Sequence, residues 1–139
     1  MRVRNFILAE SIAGNNGLFF LHAAGITSIA SAQFPCVHPK LSFFVTLVRE
    51  RHDTKDMHNL KVELIDPQGQ SPHALADGQV QIPDVEDDGD PLCIQFVGEA
   101  TGVHFPSPGI YSVVLSWDGE ELDRIRLALG TPPAPGAGA

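Results

Sequence analysis

The run "GIYSVVLSWDGEELDRIRLAL", residues 109–129, decides the fold. Tyr111, Val113, Leu115 and Trp117 alternate with Ser112, Val114 and Ser116, the period of a strand with one face buried. Asp118-Gly119 follows, and a type I′ turn needs two such residues tolerant of positive φ. Beyond it Ile125, Leu127 and Leu129 alternate again. A two-residue turn sets Trp117 opposite Glu120 and Leu115 opposite Leu122, but unbroken pairing would then match Val113 with Arg124. One extra residue near Asp123-Arg124, a β-bulge, brings Val113 to Ile125 and Tyr111 to Leu127. Glu120 and Glu121 then leave a hairpin tip on opposite sides. A catalytic carboxylate pair must converge on one substrate atom, so this is not one.

The same alternation recurs upstream. Leu41, Phe43, Val45 and Leu47 share a face in "LSFFVTLV", as do Leu60, Val62 and Leu64 in "NLKVELID" and Leu92, Ile94 and Phe96 in "LCIQFV". Asn15-Asn16-Gly17 separates two further strands, predicted over 3–13 and 18–30 with Phe6, Leu8, Leu18 and Phe20 inward. Asp66-Pro67-Gln68-Gly69 is a turn with Pro at its second position. No window carries helical periodicity between caps. The expectation is an all-β, antiparallel two-sheet β-sandwich of about eight strands over residues 1–130, followed by a flexible Pro/Gly/Ala tail, 131–139.

The stretch "HFPSPGIYSVVLSWDGEELDRIRL" resembles the closing hairpin of immunoglobulin-like sandwiches. The resemblance makes Tyr111 the tyrosine-corner residue and sets Val113 where antibody domains hold their second cysteine. Neither Cys36 nor Cys93 falls where the inter-sheet disulfide would need it. Taken with "ILAESIAGNNGLFFLHAAGI", "FPCVHPKL" and "VELIDPQG", residues 1–129 look like a small bacterial family of unknown function. That resemblance implies strands and turns and carries over no catalytic residue.

The chain has 139 residues, enough to bury a core without staples, and a net charge of −8. Residues 1–61 carry seven basic and four acidic side chains, whereas 62–123 carry thirteen acidic and none basic. An acidic chain without a basic run is poorly suited to phosphate backbones, which excludes nucleic acid and anionic membrane as partners. The segment "GLFFLHAAGITSIASAQ" imitates a signal-peptide cleavage site, but a long preceding stretch with its own apolar run and Glu10 argues against export. A cytoplasmic protein with two buried, reduced thiols is expected.

Site chemistry is sparse. "DVEDDGD", residues 84–90, gathers Asp84, Glu86, Asp87, Asp88 and Asp90, hard oxygens of the kind that bind Ca²⁺ at the end of a β-sandwich, though without EF-hand spacing. The bland alternative is a solvated connection that blunts a sheet edge. Six histidines form no HxH or HExxH pair, and His22 reads as a core or edge residue. No serine lies in a nucleophile elbow, and Cys36 and His38, adjacent in a Pro-flanked loop, are poorly placed for a dyad. No cofactor is expected. These features describe a non-enzymatic binding module that meets a protein partner or itself, with a Ca²⁺-dependent module or enzyme built on 84–90 as the alternative. Arg49, Arg51 and Lys55 offer that acidic segment a basic counterpart for head-to-tail self-association.

Overall fold

The computed structural model describes residues 1–50, 57–71, 73–82 and 92–132. Strand β9 (Gly109–Trp117) turns into β10 (Glu120–Gly130) through Asp118 at φ 51° and Gly119 at φ 83°, the two positive values that a type I′ turn demands. Trp117 pairs with Glu120, Val113 with Ile125 and Tyr111 with Leu127, as the hydrophobic pattern predicts. The bulge is present but lies earlier than expected. The register slips between Glu121 and Asp123, so Leu122 is the extra residue and Leu115 faces Asp123. Local polar groups explain that position: Asp123 Oδ1 accepts the Arg124 N–H at 2.8 Å, and the Arg124 guanidinium reaches back across the break to Glu121.

This hairpin is the middle of a five-stranded sheet. β6 (Met57–Ile65) flanks β9, with β7 (His73–Gln81) outside it, and β4 (Ser28–Ala30) lies along the other side of β10. The sheet curls into a half-barrel. A second sheet has β5 (Cys36–Val48) between β1 (Arg2–Ala9) and β8 (Cys93–Phe105), all antiparallel. A third is the short ribbon of β2 (Ser11–Asn15) and β3 (Leu18–His22).

The all-β expectation holds, with no helix among the described residues, but three details of it are corrected. There are ten described strands rather than about eight, because both N-terminal segments are split. Around Glu10 the chain bends from β1 into the ribbon, where the Glu10 N–H donates to His22 C=O. Positive φ at Ala23 and Gly25 then folds it back, and the N–H groups of Gly25 and Ile26 both donate to Leu8 C=O. That return delivers β4 to β10 in parallel, the second correction, since every strand pair was expected to be antiparallel. The same splitting of the N-terminal segments makes the ribbon a sheet beyond the two expected.

The third correction concerns burial. One core draws on both larger sheets: Leu8, Leu41, Phe43, Val45 and Leu47 meet Val62, Leu64, Tyr111, Val113, Leu115 and Leu127. Phe6, Ile94, Phe96 and Ile125 pack at its margin. Leu18 and Phe20, expected inside, are 70% and 68% exposed. The ribbon covers the outer face of β5 with its other side, Phe19 tilted against Phe44 at 5.4 Å between ring centroids. Strand β8 runs further than "LCIQFV" suggests and adds Val103 and Phe105, both fully buried. The Tyr111 hydroxyl donates to Ser107 C=O at 2.8 Å, four residues upstream.

Candidate functional site

The acidic residues Asp84, Glu86, Asp87, Asp88 and Asp90 lie outside the described residues, as do Arg51, His52 and Lys55. Among the described residues no group of three or more His, Cys, Asp or Glu side chains is placed to hold a metal ion. Glu121 is paired with Arg124, whose hydrogen bond holds its carboxyl below the usual range. Cys36 and His38 lie on β5 rather than in a loop, and Cys36 packs against the core with Phe105 as its register partner. Two positions apart on one strand, they share one of its faces, with about 7 Å between their α-carbons.

Three arrangements carry polar or exposed chemistry. The first joins the hairpin turn to β6. Asp118 Oδ2 accepts from His58 Nδ1 at 2.6 Å, and Oδ1 accepts the Asn59 N–H at 2.8 Å. The Asp118 N–H returns a bond to Asn59 C=O, and the His58 ring stacks on Trp117 at 4.8 Å. Sixty residues separate His58 from Asp118, so nothing local in the sequence announces the pair. Both carboxylate oxygens are occupied by the protein itself, which makes Asp118 a clamp on the start of β6 rather than a base.

The clamp has a pH signature. The hydrogen bond from His58, then that from Asn59, lowers the Asp118 pKa below its ordinary 3.8. A depressed folded value adds stability that is complete above the unfolded value and lost as pH falls through the folded one. The Asp118→Asn protein keeps an acceptor for Asn59 and tolerates positive φ. It should be less stable than the parent by at most about 1 kcal/mol at neutral pH, since the side chain is half-exposed and screened. The deficit should shrink towards zero below pH 3.8. Urea titrations at a series of pH values measure it, and a deficit independent of pH would remove the ionic part of the clamp.

The second arrangement is a concavity of about 320 Å³ beside β1, lined by Arg2, Val3, Arg4, Val48 and Cys93. Here the expectation of two buried thiols is corrected: Cys36 is half-buried, but Cys93 is exposed and takes a contact from Arg4 Nη1 at 3.6 Å. Its strand, β8, is at the edge of its sheet among the described strands. The third arrangement is the outer face of the ribbon. By strand alternation Ser11, Ala13 and Asn15 share that face with Leu18, Phe20 and His22, and the register sets them opposite one another. His22 is exposed there, at an edge and not in the core.

No described helix is long and apolar enough to cross a membrane. The fold is similar to part of a β-glucosidase from Listeria innocua solved in complex with isofagomine, with a TM-score of 0.46 and 15% identity. The likeness covers 91% of this chain and 16% of that one, so the chain spans about a sixth of that enzyme's length. No curated protein matches it. A family model does match, over residues 4–130, nearly the whole described chain, and the protein therefore belongs to DUF6941, a family of unknown function.

Proposed function

We propose that the protein is a non-enzymatic, immunoglobulin-like sandwich module that associates with a second copy of itself through the outer face of the β2–β3 ribbon. The sandwich reading is supported by the shared core of the two larger sheets and by the corner bond of Tyr111. Two unbridged cysteines, one exposed, fit a reducing compartment such as the cytoplasm.

The observation that carries the self-association is the pair Leu18 and Phe20, 70% and 68% exposed and two positions apart on one strand. Isolated apolar side chains are ordinary on surfaces, but two large ones on one face of a ribbon form a patch. Its occupant follows from charge. The face holds no carboxylate, lysine or arginine, although the molecule carries a net −8. An uncharged patch on an acidic protein is best matched by an uncharged patch, and a twofold axis supplies an identical one.

Sedimentation velocity across protein concentration tests this. The parent should pass from monomer to dimer below about 1 mM, and Leu18→Ser/Phe20→Ser should stay monomeric while keeping its fold. Contact between apolar faces should hold or strengthen between about 50 and 500 mM salt, whereas association through the 84–90 segment should weaken as screening shortens. A parent monomeric at every concentration would overturn the reading, and a salt-labile dimer that the double substitution leaves intact would transfer it to the acidic segment.

A further inference from the structure

The concavity beside β1 is lined by Arg2 and Arg4, neither of which is ion-paired with a described carboxylate. Arg2, Val48 and Cys93 are register partners in one row across β1, β5 and β8. The register of β1 breaks between Val3 and Asn5, making Arg4 the extra residue. Arg4 lines the same concavity as Arg2, and its Nη1 reaches the Cys93 sulfur on the far strand. Val48 lies between the charged rim on β1 and the thiol on β8. Two positions back on that face of β5, Thr46 is buried and its Oγ1 has no partner.

Two arginines facing one hollow repel each other unless an anion joins them, and their planar forks match the oxygens of a carboxylate or phosphoryl group. In a chain of net −8, neither arginine has an ion-pair partner among the described carboxylates, the opposite of what charge abundance would produce. The volume, about 320 Å³, is at the small end of ligand-sized cavities. We propose that this concavity is a binding site for a small oxyanion, a carboxylate or phosphoryl compound, held by Arg2 and Arg4 with Val3 and Val48 beneath it. The site is independent of the ribbon.

Cys93 reports on it. Its thiolate displaces iodide from iodoacetate, an anion, or from iodoacetamide, which is neutral, and peptide mapping separates it from Cys36. The ratio of the two rates at Cys93 should exceed that of a free thiol by about tenfold, because the guanidiniums concentrate the anion. Millimolar inorganic phosphate, and separately citrate, at constant ionic strength should remove the excess. The first arm identifies a phosphoryl preference and the second a carboxylate one. Arg2→Gln/Arg4→Gln should return the ratio to that of the free thiol. Should that variant fail to fold, Arg2→Lys/Arg4→Lys keeps the charge without the forks: a raised ratio that neither anion now lowers supports the site. A parent ratio equal to that of the free thiol, or full protection surviving in the lysine variant, would overturn it.

Discussion

Replacing Gly98 by alanine should lower the unfolding free energy by about 2 kcal/mol, and by valine about 3 kcal/mol, because the core has no room for a β-carbon there. Gly98 is the register partner of Phe43, whose ring lies where that carbon would go. A Cβ built on Gly98 falls 2.1 Å from Phe43 Cζ and 2.3 Å from Cε1. The ring cannot step aside cheaply, since Phe43 is 2% exposed and packs in the shared core. The cost is one of space rather than backbone conformation, which separates it from turn positions such as Gly119 at φ 83°. Shortening the ring should therefore relieve it. In a cycle with Phe43→Leu, the two substitutions together should cost less than the sum of each alone, with a coupling of about 1 kcal/mol or more. Urea denaturation measures all four proteins. An alanine at 98 that costs less than about 0.5 kcal/mol, the range of ordinary surface changes, would show that the ring is free to move.

Gly98 also shows why part of the fold was hidden in the sequence. An isolated glycine reads as the end of a strand, so β8 seemed to stop near Val97, although it continues to Phe105. What the sequence displays at that position is a missing side chain. The ring that fills the gap is far away in the chain, and only the pairing of β5 with β8 brings it there. The β9–β10 hairpin was legible for the opposite reason. Its turn chemistry, alternation and bulge are all local, and the error of position at Leu122 arose from hydrogen bonds of Asp123 and Arg124 that a hydrophobic pattern does not encode.

The ribbon lies between these cases. In "LFFLH" both parities are apolar, Leu18 and Phe20 against Phe19 and Leu21, so periodicity cannot say which pair is buried. The outer surface of β5 decides, because Phe44 receives Phe19. The same surface holds the oxyanion concavity, whose parts come from three strands spread along the sequence, β1, β5 and β8. Arg2 and Arg4 carry no motif. Only the pairing of β1 with β5 and of β5 with β8 brings them to Cys93.

Tyr111 should be the costliest single truncation in the hairpin, with Tyr111→Ala losing about 4 kcal/mol. The side chain is fully buried and meets Phe105 edge-on, at 5.1 Å between ring centroids. Its hydroxyl donates to Ser107 C=O and accepts the Ser107 N–H at 3.4 Å, which ties the connection from β8 to the start of β9. Tyr111→Phe isolates that tie. It keeps the ring and leaves the Ser107 carbonyl short of a donor, and it should cost about 1 to 1.5 kcal/mol, a net hydrogen bond plus part of a desolvation penalty. The remaining difference of roughly 3 kcal/mol belongs to the ring and the cavity it would leave. The two losses should also differ in place. Hydrogen exchange in Tyr111→Phe should quicken at the 105–109 connection while the paired amides of β9 and β10 stay protected, because the ring still fills its site. If Tyr111→Phe matched the parent in stability, the hydroxyl would be satisfied by solvent rather than by the corner. If exchange quickened through the whole hairpin, the corner would be holding the sheet itself and not only its connection to β8.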